Sequence, residues 1–419
     1  MADPTAFDKV ARVVDADRQD LLDLCLLVGN LPDYAGHTIA VGEAVADWFK
    51  AAGIPAYLQR ITDEAVNAIG VLKGAGGGKS LIMNAHMDAG EPPPPDAPES
   101  EVKMRGTWVD GPMLYGRGMI NDKAQLCAEM IAVRAIKKAG VALNGDVTVM
   151  GVDFETGAPS VDEHQGINYP GEGFGTEWAI NRGVLADYAL VGETSEFTII
   201  AADAGNVRLR IRVPGRRVYT PRLNRGEAWQ DNPNPHEKAA RVIIACEEWA
   251  RAYQERETVE FWGGVIVPKA QVMQVRTSEN YSYVYLDVRL APGRKPLPVI
   301  AEVQAAVDAL GVEGCEVVPY EYKRGYIAEG AGELIDAVKR AHADVLGGEP
   351  GVPAPPVLSM WRDNNVFNEL GIPSVCYGPR RQRETMTNEG NRAMLVDDLV
   401  AAAKVYAFTA MNLCGVHEG

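Results

Sequence analysis

The chain has 419 residues, of which 47% are hydrophobic and 23% charged. This length predicts two domains or one elaborated domain. The formal net charge of −16 argues against a nucleic-acid partner, which needs a basic face. No apolar run approaches the ~18 residues of a membrane span, and the N-terminal residues lack a signal-peptide core. We therefore expect a soluble, cytoplasmic protein with neither a membrane nor a nucleic acid as partner.

The cysteines and histidines limit the kinds of site that the chain can form. Six cysteines are scattered at positions 25, 127, 246, 315, 376 and 414 without a CxxC pair. This spacing indicates reduced, mostly buried thiols and neither a zinc knuckle nor a disulfide framework. Because there are only six histidines, any metal site is expected to consist largely of carboxylates.

The first half of the chain alternates helix and strand patterns. Helices are predicted over 7–29, 36–52 and 124–140, and strands at "KSLIMNAHMDAG", "DVTVMGVDF" and "ADYALVGE". Strands separated by helices predict a largely parallel sheet covered on both faces. The proline tract 90–100 is predicted to be a surface loop.

The pattern changes near residue 204 and returns near residue 325. Residues 204–324 follow a β-α-β-β-α-β order with alternating strands such as "NVRLRIRVPG". We therefore predict an α/β fold in two domains. Residues 1–203 and 325–419 form the main domain around a mixed, largely parallel sheet, and residues 204–324 form an inserted α+β sandwich.

Acidic residues and one histidine collect at the predicted strand ends and in a glycine-rich loop. Each signal is weak alone, because an HxD pair is common and an acid at a helix start can be a simple N-cap. Together they are stronger, because the carboxyl ends of parallel strands border one crevice. The residues are His86, Asp88, Asp122, Asp153, Glu155 and Glu193.

The order of these motifs resembles a family of co-catalytic-metal peptidases and deacylases, which includes acetylornithine deacetylase, succinyl-diaminopimelate desuccinylase and aminoacylase. The matching motifs are "HMD", "GRGMINDK", "DFETG", "GET", "LDVR" and "GP…TNE". The resemblance covers nearly the whole chain and implies that the inserted domain is a lid and dimerisation domain. It also implies roles for five residues. His86 and Glu193 would bind one metal, Asp122 would bridge to a second metal bound by Glu155, and Asp88 would orient the His86 ring.

Three positions depart from the family pattern. Phe154 stands where the family has its general base, and Thr385 stands near the position of a histidine that binds the second metal. Tyr219 replaces a histidine that polarises the scissile carbonyl. Because threonine is a poor ligand for zinc-like ions, the pattern predicts one divalent transition metal per chain, manganese or zinc, at His86, Asp122 and Glu193.

One metal can deliver hydroxide to an electrophile that stabilises the incoming charge by itself. An electron-poor aromatic amine is such an electrophile, and the resemblance implies conversion of 5-nitroanthranilate to 5-nitrosalicylate and ammonia. Asp88 and Glu155 are the predicted catalytic residues. The predicted substrate-binding residues are Phe154, Tyr219, Asn234, Arg289, Arg380 and Arg383.

Two other hypotheses remain open. The chain could be an amide-bond peptidase or deacylase for N-acyl amino acids or small peptides, with Asp153, Glu155 or Glu384 as a rewired base. It could also be a catalytically silent small-molecule-binding homologue. His164 is a candidate replacement for the missing ligand, and the expected assembly is a homo-oligomer, at least a dimer.

Overall fold

The computed structural model describes residues 5–89, 96–381 and 392–417. Within them the strands are β1 (Ala56–Arg60), β2 (Val66–Leu72), β3 (Leu81–His86), β4 (Trp108–Asp110), β5 (Met113–Tyr115), β6 (Val147–Val152), β7 (Tyr188–Gly192), β8 (Ala202–Asp203), β9 (Gly205–Pro214), β10 (Val259–Phe261), β11 (Gly264–Ile266), β12 (Ala270–Thr277), β13 (Tyr281–Leu290), β14 (Glu316–Lys323), β15 (Tyr326–Ile327), β16 (Ser374–Tyr377) and β17 (Ala393–Leu395). The helices are α1 (Ala6–Ala16), α2 (Arg18–Gly29), α3 (Ile39–Ala51), α4 (Glu99–Arg105), α5 (Ala124–Lys138), α6 (Phe174–Ile180), α7 (Pro235–Glu257), α8 (Pro296–Asp308), α9 (Gly332–Leu346), α10 (Pro355–Leu358), α11 (Asn364–Glu369) and α12 (Val396–Cys414).

A six-stranded sheet in the order β1-β2-β6-β3-β7-β16 forms the centre of the main domain. Strands β6, β3, β7 and β16 are parallel to one another, whereas β1 and β2 form an antiparallel extension. The predicted mixed, largely parallel sheet is therefore confirmed. The parallel strands bring His86 at the end of β3 and Glu193 just after β7 to the same edge.

Both faces of this sheet are covered by helices. Along β3, Met83 packs into the core formed with α1, α2, α3, α5, α9 and α12, whereas Ile82 faces the smaller core that contains α6 and α11 residues. This alternation follows from the two-residue period of a strand. Because both faces are buried, the strands are apolar along their length rather than alternating.

The inserted domain is a four-stranded antiparallel sheet in the order β12-β13-β9-β14. Helices α7 and α8 cover one face, and β9 alternates buried and more exposed residues as its sequence pattern predicts. The short pair β8–β15 joins the two domains. A loop over 156–172 also bonds to the inserted sheet, through residues that include Asp162 and Glu172.

Some element bounds differ from the sequence predictions. The helix predicted over 7–29 is two helices that meet at Asp17, whose buried carboxylate pairs with Lys138 and Arg134 of α5. The helix predicted over 36–52 begins at Ile39. Helix α4 begins at Glu99, inside the predicted loop 90–100. No helix in the described part of the chain is long and apolar enough to cross a membrane.

Candidate metal centre

His86 is the last residue of β3, and its ring is buried at the edge of the sheet. The ring Nδ1 lies 2.7 Å from the main-chain carbonyl oxygen of Asp88. Because a carbonyl can only accept, Nδ1 carries the hydrogen and Nε2 presents its lone pair. Nε2 is buried and has no hydrogen-bond partner among the described residues, which is the state that a metal-binding imidazole needs.

Asp122 lies in a π-helical turn, Met119–Lys123, at the start of α5. Its carboxylate is fully buried, and neither oxygen has a hydrogen-bond partner in the described structure. The neighbouring Lys123 is also buried and pairs with Asp33. Gly118 permits this packing, since a Cβ there would lie 2.6 Å from an Asp33 oxygen. The glycine-rich motif therefore holds an unpaired carboxylate in place.

Glu193 follows β7 and completes a cluster with His86 and Asp122. One ligand atom from each of the three residues lies within 4.8 Å of the others. Burial raises the pKa of Asp122 well above its ordinary value, and the carboxylates of Glu193, Glu129 and Glu155 raise it further. Buried like charges of this kind need a cation. One imidazole and two carboxylates are a donor set suited to a divalent transition metal.

Glu155 lies beside this cluster. Its Oε2 is 3.7 Å from His86 Nε2, and Glu193 Oε1 is 4.0 Å from the same nitrogen. Burial raises the pKa of Glu155 well above its usual range, with Glu193 as the next cause. The carboxylate can therefore act as a further ligand or as a proton acceptor for a water in the cluster.

Asp88 contacts the His86 ring through its main chain rather than through its carboxylate. The main-chain carbonyl of Asp88, and not its carboxylate, lies at hydrogen-bonding distance from the His86 ring; the carboxylate is 3.6 Å from Nδ1. The carboxylate instead accepts hydrogen bonds from the main-chain N–H groups of Glu155 (3.2 Å) and Thr156 (2.9 Å). Asp88 therefore positions the segment that carries Glu155.

The position of Phe154 does not fit the predicted contact with a substrate ring. Its side chain is fully buried in a small apolar cluster with Ile61 and Ala65, and its ring meets Phe174 edge-on at 6.1 Å. The φ of Phe154 is 59°, in the left-handed region. The ring therefore has no exposed face for stacking in this structure, because the left-handed residue directs it into the protein's own core.

Asp153 is not placed as a free base. Its carboxylate accepts hydrogen bonds from Gly36 N (3.0 Å), Thr38 Oγ1 (2.6 Å) and Phe154 N (2.6 Å). Burial and the nearby Asp88 raise the pKa of Asp153 to about 8. These bonds tie the start of α3 to the end of β6, a structural role.

The other predicted substrate-binding residues lie apart from the three-residue cluster. Tyr219 is exposed in the inserted domain, and Asn234 caps α7 by accepting from His236 N at 2.8 Å. Arg289 pairs with Asp287 on its own strand at 3.1 Å. None of these side chains contacts a cluster residue among the described interactions, so their roles in substrate binding stay predictions.

Other predictions fall on the segment after β16. Arg380 is about half exposed, pairs with Asp398 at 3.5 Å and lies over the Phe197 ring. It contacts no cluster residue among the described interactions, so its role in substrate binding stays a prediction. Arg383, Glu384 and Thr385 lie outside the described residues. His164 does not join the cluster either; its ring packs on Tyr169.

Sequence reasoning missed several buried polar residues near the cluster. Arg362 lies with its Nε 3.9 Å from Glu193 Oε2 and pairs with buried Asp203. Asp363 accepts from Asn84 at 3.1 Å and from Thr176 at 2.7 Å. The signal was present in "MWRDNNVF", where four consecutive polar residues interrupt an apolar segment. Their burial depends on tertiary packing, which the local pattern does not show.

Taken together, the fold and the three-residue cluster define a metal-dependent hydrolase. Residues 82–412 match Peptidase family M20/M25/M40, and the chain belongs to this family. The family predicted from the motifs is therefore confirmed.

The named relatives are distant but cover nearly the whole chain. LysW-lysine hydrolase of Deinococcus radiodurans is 23% identical over 404 residues, which are 94% of this chain and 98% of that protein. N-formyl-4-amino-5-aminomethyl-2-methylpyrimidine deformylase of Bacillus subtilis is 22% identical over 417 residues, 91% of this chain and 88% of that protein. The solved structure of a Bacillus subtilis M20 peptidase, described as dinuclear metal binding, has a TM-score of 0.62 at 14% identity and covers 96% of this chain and 99% of that one.

Proposed function

We propose that this hydrolase uses a single divalent metal at His86, Asp122 and Glu193 to deaminate an electron-poor aminobenzoate. The reaction is 5-nitroanthranilate plus water to 5-nitrosalicylate plus ammonia. One observation carries the proposal. The three-residue cluster is complete, yet the residue between Asp153 and Glu155 is a fully buried phenylalanine, where the family resemblance leads us to expect the general base.

The chemistry requires little from a base. A divalent transition metal held by His86, Asp122 and Glu193 would lower the pKa of a bound water towards ~7. The water oxygen forms a bond to the ring carbon that carries the amine, and the ring and its nitro group accept the negative charge. The C–N bond then breaks and ammonia leaves. In this proposal Glu155, whose Oε2 lies 3.7 Å from His86 Nε2, accepts the water proton and passes it to the leaving nitrogen.

An amide is a more demanding substrate. It holds the incoming charge poorly and needs a base, a group that polarises the carbonyl and a proton for the leaving nitrogen. Phe154 supplies no base. Tyr219 is a phenol, which polarises a carbonyl less strongly than a histidinium does.

Amide hydrolysis is the second candidate, and the comparisons favour it. The two relatives named above are a LysW-lysine hydrolase and a deformylase, and Glu155 could serve as the rewired base. In that case two metals per chain would be expected, as in the peptidase described as dinuclear.

Turnover of both substrate classes distinguishes the candidates. The metal-loaded protein is incubated with 5-nitroanthranilate and, separately, with N-acyl amino acids, an N-formyl amine and dipeptides, with Asp122→Asn as the inactive control. We expect ammonia and 5-nitrosalicylate in equal amounts from the first substrate only. Hydrolysis of any of these amides, without deamination of 5-nitroanthranilate, would establish the second candidate instead. No turnover of either class would favour a binding homologue.

A further inference from the structure

Arg381 lies in the wall of the metal centre. Its guanidinium donates to the hydroxyl of Thr194, the residue after Glu193, and its main-chain N–H donates to Glu196 at 3.3 Å. Its Nε is buried and has no partner among the described residues. A buried guanidinium N–H without an acceptor is costly unless a ligand supplies one.

Arg392 reaches the same region from another part of the fold. Strand β17 pairs with β5, and Gly116 N donates to the Arg392 carbonyl oxygen at 3.2 Å. This places Arg392 beside Arg117 of the glycine-rich motif. The Arg392 side chain makes no hydrogen bond or ion pair with any other residue in the described ranges.

Arg381 and Arg117 both place positive charge near Arg392. Burial lowers the pKa of Arg392 to about 10, and the nearby charges of Arg381 and Arg117 contribute to this. Glu193 and Asp122 are close enough to raise the pKa of Arg381, although burial outweighs them. Those two carboxylates are the proposed metal ligands, so the metal takes up their charge. The Arg381 Nε, which has no acceptor among the described residues, is then open to a further anion.

We propose that Arg381 and Arg392 form the subsite that binds the carboxylate of an organic-acid substrate, with added positive charge from Arg117. Guanidinium groups bind carboxylates through paired, charge-assisted hydrogen bonds. The inference deepens the proposed function, because it holds the acid group next to the reacting C–N bond. It applies to an aminobenzoate and to an N-acyl amino acid alike, and it assigns a role to residues that the sequence did not single out.

Direct binding measurements test the subsite independently of turnover. Isothermal titration with the full-length, manganese-loaded protein uses four probes: anthranilate, its carboxamide 2-aminobenzamide, N-acetylglycine and N-acetylglycinamide. The variants are Arg381→Gln, Arg392→Gln and Arg392→Lys. Arg18→Gln is the control, because Arg18 is a surface arginine that pairs with Asp397 and is not part of the cluster. Thermal unfolding and metal content verify that each variant is folded and loaded.

The expected pattern is specific to the carboxylate. At least one acid binds more tightly than its amide, and each Gln variant weakens that acid about tenfold or more while leaving the amide within about twofold. The affinity of Arg392→Lys for the acid should lie between those of the wild type and Arg392→Gln. Lysine keeps the positive charge but lacks the paired N–H donors of the guanidinium. Arg18→Gln should match the wild type. Equal weakening of acid and amide, or no acid binding above its amide, would overturn the subsite.

The subsite and the proposed function can fail separately. If both Gln variants deaminate 5-nitroanthranilate with an unchanged KM, the subsite proposal is wrong and the proposed function is supported. Carboxylate binding that depends on both arginines, without deamination, would keep the subsite and remove the proposed reaction.

Discussion

At the scale of single residues, Phe154 lies between two acidic residues but contributes to packing. It lies between two acids at the end of β6, where charge would be expected. Its left-handed backbone directs the ring into a small core that also includes Phe174. Phe154 therefore contributes packing beneath the site and no charge.

We predict that Phe154→Ala lowers the free energy of unfolding by about 3 kcal/mol or more, because it leaves a cavity in a closed apolar cluster. Phe154→Leu should cost only about 1 kcal/mol. Urea unfolding of the metal-free proteins measures both. The KM of Phe154→Leu should stay within about twofold of the wild type; a much larger rise would restore the substrate-stacking role.

Asp122 gives a second prediction at this scale, with two opposite effects. Asp122→Asn should bring metal content, measured by mass spectrometry, from near one ion per chain to near zero, because a neutral amide is a weak ligand for such ions. In chelator the same variant should unfold a few degrees above the wild type, since it removes a buried acid whose pKa burial and Glu193 raise. A wild-type value near two ions would contradict the single-metal proposal.

At the scale of elements, the helices were easier to predict than their junctions. The amphipathic pattern over 7–29 does not reveal the break at Asp17, because its partners Lys138 and Arg134 come from α5. A similar long-range contact joins α9 to β16, where His342 Nδ1 lies 2.7 Å from the Tyr377 hydroxyl. Such contacts link elements that are far apart in sequence.

The His342 contact predicts a pH dependence of stability. Burial lowers the pKa of His342 below its ordinary value of 6.5, and the nearby charge of Arg380 adds to this. The unfolded chain therefore binds a proton before the folded protein does. This contribution to stability is present above about pH 6.5 and is lost as the pH falls below it.

His342→Gln keeps a hydrogen-bonding group for Tyr377 but cannot titrate. The difference in unfolding free energy between the wild type and this variant should shrink from pH 7.5 to pH 5.5, measured by urea unfolding in chelator. A difference that stays constant over this range would show that His342 does not titrate differently in the folded and unfolded states.

At the scale of the whole molecule, the β8–β15 pair is not the only connection between the two domains. The loop over 156–172, which begins just after Glu155, carries Glu172, and Glu172 accepts from Arg208 and from Asn206 (2.8 Å) of β9. Arg208 also pairs with Glu321 at 2.8 Å. These partly buried hydrogen bonds and ion pairs attach the loop 156–172, which follows Glu155, to the sheet of the inserted domain. Assembly as at least a dimer stays a prediction.

We predict that Glu172→Gln loosens this connection. The variant should lose about 1–3 kcal/mol, because it removes one partner of a partly buried pair, and hydrogen exchange should increase over 156–172. Glu163→Gln is the control. Its side chain is exposed and pairs with Arg276, so its loss of stability should be much smaller than that of Glu172→Gln. Equal effects of both variants would contradict a specific role for Glu172.

The sheet type and the residues of the metal cluster could be predicted from the sequence alone. Strand and helix periodicity indicated the mixed sheet, and three motifs named His86, Asp122 and Glu193, which the structure brings together. Such signals are local, since a strand's period and the residue at its end can be read from consecutive positions.

Only the tertiary structure decided which neighbouring groups act on that cluster. It turned Phe154 inward, placed the Asp88 main-chain carbonyl against the His86 ring, and brought Arg381 next to Thr194 beside the cluster. Burial and side-chain direction depend on residues that pack from distant parts of the chain. A short window of sequence does not contain those contacts, and their physical effects on charge and packing appear only after folding.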